Sequence, residues 1–191
     1  MRKTGLTEPD PRCRREARGA LWVEVATPSG TLHVVNTHLG LTTSERQTQV
    51  SVLLEEQWIG GINADDPIVV CGDLNAGPRS RTVGRLHRFL ESTESRCTTR
   101  DRTQTTFPSG FPLRRVDHVL FNDRVTCAGL SRLQTLNSNV ASDHLPMVAD
   151  LILQPASDID SSSCRREKGV GSRFPPEPVG GDAWMERNIR Q

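Results

Sequence analysis

The sequence predicts an α/β fold, and three observations carry that prediction. Ile68, Val69 and Val70 form a β-branched apolar run with no polar alternation, as in a strand buried on both faces. Before it, Val50, Leu53, Leu54 and Trp58 recur at helical spacing, and before these Thr31 to Thr37 reads as a strand, giving a βαβ-like unit. The strands then leave the sheet into polar residues, His38 after one and Gly72-Asp73-Leu74-Asn75 after the other.

The elements follow in order. Residues 1–18 carry Gly5, Pro9 and Pro11 with the basic side chains Arg2, Lys3, Arg12, Arg14, Arg15 and Arg18, and read as an irregular arm, either solvated or attractive to phosphate. Ala20 to Ala26 is a strand, Pro28-Ser29-Gly30 a hairpin turn, and Thr31 to Thr37 the returning strand. Ser44 with Gln47 reads as a capping box opening a helix of about 16 residues that Gly60-Gly61 stops, with Trp58 in the core. After Gly77-Pro78, Ser80 caps a second helix with Val83, Leu86, Phe89 and Leu90 on one face. Residues 91–104 are a polar loop and Thr105 to Pro108 a short extended piece.

Arg114 to Phe121 is a strand with Asp117 inside it, and a carboxylate in an apolar run is costly to bury unless paired. Asn122-Asp123 turns the chain, Val125 to Leu130 resumes strand character, and Met147 to Leu153 is the last strand. Asp143 and His144 sit just before it, so a pair between an imidazole and the Asp117 carboxylate is the sharper reading of those residues. Residues 155–191 are poor in apolar groups and rich in Ser, Pro and Gly, and read as a disordered, passive tail, with docking through Trp184-Met185 the alternative.

At Asp73 and Asn75 the residue types suggest chemistry. In an extended chain two residues two apart point the same way. A carboxylate and an amide together can hold a water or metal ion beside a substrate oxygen, although Gly, Asp and Asn are also ordinary turn formers. Net charge is +1, so no global field draws in nucleic acid or an anionic membrane. Arg79, Arg81, Arg85, Arg114 and Arg115 are the cations available to a nucleic-acid groove. No apolar run approaches the roughly 18 residues of a membrane span, and no secretory h-region is visible. The cysteines at 13, 71, 97, 127 and 164 are odd in number and unpaired in spacing, which predicts reduced thiols in a reducing, cytoplasmic compartment.

Four motifs in this order, Asn36-Thr37-His38-Leu39, Gly72-Asp73-Leu74-Asn75, Val116-Asp117-His118-Val119 and Ser142-Asp143-His144-Leu145-Pro146, resemble the second half of the endonuclease/exonuclease/phosphatase superfamily of metal-dependent phosphohydrolases. Arg18-Gly19-Ala20-Leu21, His38-Leu39-Gly40-Leu41 and Thr106-Phe107-Pro108-Ser109 resemble a bacterial subgroup of it. The resemblance spans residues 18–153 and implies a domain at 19–154. It implies a four-layer α/β/β/α sandwich, here partial, with the site at one end of the sheets.

By the same resemblance, Asp73 orients or activates the attacking water and Asn75 holds a phosphoryl oxygen. His144 acts as base or touches the phosphate, with Asp117 fixing its tautomer. His38 binds the scissile phosphate, and Asp143 lies at a Mg²⁺ or Mn²⁺ ion together with Asp73 and Asn75. Such an ion and an imidazole–carboxylate pair are what an in-line attack by water on a phosphate ester needs.

The family's amino-terminal half, which bears its principal Glu metal ligand, has no counterpart among Glu8, Asp10, Glu16 and Glu24. The sequence therefore predicts a fragment or half of a split enzyme, with a complementing half or self-association covering an exposed apolar face. The expected activity is phosphate-ester hydrolysis; an inactive binding module and a DNA nuclease are the alternatives.

Overall fold

The computed structural model describes residues 1–7, 16–90, 97, 99–100 and 104–154. The tail expected at 155–191 and the basic residues Arg12, Arg14 and Arg15 lie outside them. Strands β1 (Arg2–Thr7), β2 (Arg18–Thr27), β3 (Gly30–Thr37), β4 (Ile68–Asp73) and β6 (Asp117–Phe121) form one sheet in the order β1-β2-β3-β4-β6. Strands β5 (Thr99–Arg100), β7 (Val125–Arg132) and β8 (Met147–Leu153) form a second, in that order. Helices α1 (Thr43–Leu53), α2 (Arg81–Leu90) and the short α3 (Leu136–Ala141) complete the fold.

The unbroken apolar run at Ile68–Val70 is explained by what lies on each side of it. Ile68 and Val70 face α1 and α2, in a core with Trp22, Val35, Val50, Leu53, Val83, Leu86 and Leu120. Val69 faces the second sheet, in a separate core with Phe121, Val125, Cys127 and Leu130. Alternate residues of one strand thus feed two cores, because the first sheet is packed on both faces. Three layers result, with helices on the first sheet and the second sheet behind it. Among the described residues no helix covers the outer face of β8, where Val148 and Ile152 stand exposed, in keeping with a partial sandwich.

The structure corrects several expectations. Residues 2–7 are not part of an irregular arm: β1 pairs antiparallel with β2, and Arg2 lies over the Trp22 ring at 4.6 Å. A guanidinium on an indole face keeps a basic, polar segment attached to the sheet. The capping box of α1 is Thr42 with Glu45, not Ser44 with Gln47. Thr42 is the last extended residue (φ −92°), so its hydroxyl meets the Glu45 N–H while Gln47 reaches across to Thr82. The helix also ends at Leu53, well short of Gly60-Gly61. Those glycines instead let the chain double back, since a Cβ on Gly61 would lie 1.8 Å from the Glu56 carbonyl oxygen. Trp58 is buried, as expected, 6.1 Å from Trp22.

The polar loop expected at 91–104 contains β5, which runs parallel to β7 with Thr99 opposite Gly129. Continuing that register by two residues sets Cys97 beside Cys127, and the two are disulfide-bonded, with Cα atoms 4.5 Å apart. The expectation of reduced thiols is therefore wrong for this pair, and the compartment inferred from it loses that support. Cys71 is free. No helix of the described residues is long and apolar enough to cross a membrane.

Strands β3 and β4 are parallel neighbours, and their ends approach closely at Gly72. Its φ is +127°, and a Cβ there would sit 2.0 Å from the Thr37 carbonyl oxygen. Gly72→Ala is expected to lower stability by about 3 kcal/mol. A urea midpoint equal to that of the parent chain would contradict this account of the strand ends.

Candidate active site

The site is assembled where β3, β4 and β6 end. Strand β6 runs antiparallel to β4 and places Asp117 directly opposite Asp73. Two facing carboxylates repel each other, so this register needs compensating groups. Two imidazoles supply them. His38 Nε2 lies 3.2 Å from Asp73 Oδ2, and His144 Nδ1 lies 2.8 Å from Asp117 Oδ2. The other ring nitrogen of His144 faces Asp73 Oδ2 at 3.9 Å, too far for a hydrogen bond but close enough for one small oxygen to touch both.

Loop hydrogen bonds fix these positions. Leu39 N–H donates to the Asp73 carbonyl at 2.9 Å, and Leu74 N–H to the Val116 carbonyl at 2.9 Å. Leu145 N–H donates to the Thr106 carbonyl at 2.8 Å, carrying His144 to the start of β6. Buried His118 donates through Nε2 to the Ala76 carbonyl at 2.8 Å, tying β6 to the loop after Asp73. Buried Gln49 accepts from Gly40 N–H at 2.7 Å and so fastens the loop after His38 to α1.

The structure brings His38, Asp73, Asp117 and His144 together, ties the Asn75 backbone to the Asp73 carboxylate and leaves Asp143 exposed beside His144. Asn75 is not extended, so the premise that it points with Asp73 does not hold. Its φ is +47°, because the Asp73 Oδ1 accepts its backbone N–H at 2.8 Å and curls the chain. One amide N–H of Asn75 then donates to the Leu39 carbonyl at 2.9 Å. Asp143 is exposed; its carbonyl accepts from Ser109 N–H at 2.7 Å, and its carboxylate acts on His144 through space.

Among the described residues, Asp73, Asp117 and His144 form the group that could hold a metal, with ligand atoms within 4.8 Å of one another. Two carboxylates and an imidazole suit a divalent ion that keeps several waters. Asp117 Oδ2 accepts hydrogen bonds from His144 and Thr106, and Asp73 Oδ1 accepts from Asn75 N–H.

Three residues at the site were read in the sequence only within the basic arm and the subgroup motifs, with no role at the site. Arg18 Nη1 lies 3.0 Å from the ring nitrogens of His38. A guanidinium only donates, so the imidazole accepts there and presents its other N–H to Asp73. Counting back from the hairpin pairs Ala20 with Thr37, which was enough to bring the start of β2 beside His38. Buried Thr106 donates its hydroxyl to Asp117. The Phe107 ring lies 4.9 Å from that of His144.

Residues 4–144 match the endonuclease/exonuclease/phosphatase family. The chain belongs to this family. It is 29% identical over 141 residues to the uncharacterized protein YbhP of Escherichia coli, a match covering 72% of this chain and 54% of that protein. The chain thus spans about half the length of the curated relatives it matches. The fold is similar to that of the endonuclease/exonuclease/phosphatase from Bacteroides vulgatus, with a TM-score of 0.66, 18% identity, and 80% and 64% of the two chains covered. It also resembles the mannosyl-6-phosphatase Bt3783 of Bacteroides thetaiotaomicron (TM-score 0.58, 18% identity, 72% and 58% covered) and the human Nocturnin catalytic domain (TM-score 0.56, 19%, 81% and 59%).

Burial pushes the His144 pKa down, but the hydrogen bond to Asp117 and the charges of Asp117, Asp73 and Asp143 outweigh it and hold it above the ordinary 6.5. The sign follows from that direction. Stability from this imidazolium is fully present below about 6.5 and is lost as pH rises through the raised value. Asp117→Asn is expected to bring the His144 titration midpoint down, read by NMR of the ring protons; an unmoved midpoint would show that Asp117 does not set it.

Proposed function

We propose that this chain carries the phosphate-handling residues of a divalent-metal-dependent phosphoester hydrolase acting by in-line attack of water. The convergence of His38, Asp73, Asp117 and His144 from four distant points in the chain supports this reading. Asp73, with Asp117 and His144 nearby, would hold Mg²⁺ or Mn²⁺. That ion, when bound, supplies positive charge to the phosphoryl oxygens and makes bound water more acidic.

The chain's own residues do the rest. His144, with Nδ1–H held by Asp117, offers Nε2 toward Asp73. In its neutral form this nitrogen accepts a proton from a water held against the Asp73 carboxylate. His38, which turns its Nε2–H to Asp73 with Arg18 beside the ring, would turn that N–H to a phosphoryl oxygen bound there. The Phe107 ring packs against the His144 ring at 4.9 Å, tilted by 47°.

A nuclease reading gains little. Arg85 is engaged with the Gln47 carbonyl and the Ser51 hydroxyl on α1, so it does not line a groove.

With Mn²⁺ or Mg²⁺ present, the chain is expected to hydrolyse a chromogenic phosphomonoester or phosphodiester. Asp73→Ala and His144→Ala should each lower the rate by about a hundredfold or more. Chelation of the metal should do the same. Equal rates in parent and variants would reject the assignment, whereas an inactive parent that still binds phosphate would favour a binding module.

A further inference from the structure

The disulfide joins Cys97 to Cys127 across 30 residues of chain. Cys127 is fully buried, in the core between the sheets with Val69, Phe121, Val125 and Leu130. Cys97 packs against that core and is only partly buried. Strand β7 is bulged at this point: Cys127 pairs with Leu151 and Gly129 with Asp150, so Ala128 is the extra residue. The bulge lets Cys127 and Leu130 both turn inward although they are three apart.

From the disulfide a line of contacts follows β7 to the site. Thr99 pairs with Gly129 and Arg100 with Leu130. Arg132 Nη1, at the end of β7, donates to the Thr105 carbonyl at 2.8 Å and to the Thr105 hydroxyl at 3.2 Å. Thr106 then grips the site from three atoms. Its hydroxyl donates to Asp117, its carbonyl accepts from Leu145 N–H at 2.8 Å, and its N–H donates to the Arg114 carbonyl at 2.8 Å. Phe107 comes next, its ring against that of His144.

The start of this line has little else to hold it. Strand β5 is two residues long, and parallel ladders are the weaker kind. A cross-link closing 30 residues removes much of the freedom the opened segment would gain. The covalent bond is therefore the main anchor of the segment that delivers Thr106 and Phe107. One of its two sulfurs is within reach of solvent, and disulfides of that kind are the ones that exchange.

We propose that Cys97 is a thiol-exchange site for a dithiol reductant, and that its bond to Cys127 governs how firmly Thr106 and Phe107 are held at the imidazole–carboxylate cluster. Attack falls on Cys97 Sγ, because Cys127 is closed to solvent. A thiolate of the reductant bonds to Cys97 Sγ, the bond to Cys127 breaks, and its electron pair leaves on Cys127 Sγ, which takes up a proton. The second thiol of the reductant then displaces Cys97 as a thiol and closes the reductant into a cyclic disulfide. Two electrons and two protons pass from the dithiol to the cysteine pair. Reduction frees the segment at its start and loosens the grip of Thr106, while β3 and β4 stay paired.

Hydrogen exchange of single amides, read by NMR on the full chain with and without dithiothreitol, tests this. It needs no turnover, so it fails separately from the hydrolase reading. Peptide mapping of the air-oxidised chain without reductant should show Cys97 and Cys127 cross-linked. Reduction should speed exchange at the Thr106, Phe107 and Leu145 amides by about tenfold or more and leave Val35 and Val70 unchanged. Cys97→Ala, untreated, should match the reduced parent and show no further change with dithiothreitol. Absence of the cross-linked peptides overturns the proposal, as does equal exchange at those three amides in both states. Faster exchange at Val35 and Val70 as well makes the disulfide a general staple and overturns it. A response to dithiothreitol that persists in Cys97→Ala assigns the effect to another cysteine and also overturns it.

Discussion

Asp73 and Asp117 face each other across paired antiparallel strands, at a register where two carboxylates repel. Each strand end is pinned by backbone hydrogen bonds, so the carboxylates cannot simply swing away from the sheet. The repulsion is offset by two imidazoles brought from outside the pair, His38 from the end of β3 and His144 from the loop before β8. A structural ladder position would more simply be filled by an apolar or oppositely charged partner. A like-charged pair held together and answered by titratable rings marks a place where charge is handled.

Backbone and side-chain contacts together position this cluster. Parallel β3 and β4 converge at Gly72, whose missing side chain lets the Thr37 carbonyl approach. Asp73 spends one oxygen on the backbone of Asn75, which leaves the other to face both imidazoles. Thr106 and Phe107 lie between β6 and the loop of His144, one gripping Asp117 and the other packing on the ring. Arg18, at the start of β2, lies 3.0 Å from both ring nitrogens of His38, and the Asp73 oxygen at Nε2 leaves Nδ1 to accept from it. Polar groups partnered in this way stay in one rotamer, as a site acting on a phosphate requires.

Much of this was legible in the residues. The strand at 68–70, the βαβ unit and the second helix read directly from apolar period, because both faces of the first sheet are covered. Asp117 was marked by the cost of a carboxylate in an apolar run, and its partner proved to be His144. Other features needed three dimensions. The pairing of Cys97 with Cys127 depends on a two-residue strand, β5, too short to leave a periodic signal. Strand β1 reads as a basic arm because Leu6, buried in the helix-side core, is its one apolar side chain and leaves no periodic signal. Asn75 misled because side-chain direction was inferred from an extended chain, and the Asx turn removes that extension. The facing of Asp73 and Asp117 depends on strand register across a long loop, which no local pattern encodes.

The central claim is that one ligand site is built from both imidazoles and the Asp73 carboxylate. The most direct measurement is a titration with inorganic phosphate followed by the side-chain ¹⁵N signals of His38 and His144. The account predicts that both rings shift together with a single dissociation constant, and that neither shifts in Asp73→Asn. Rings that titrate independently, or a response at only one of them, would contradict it.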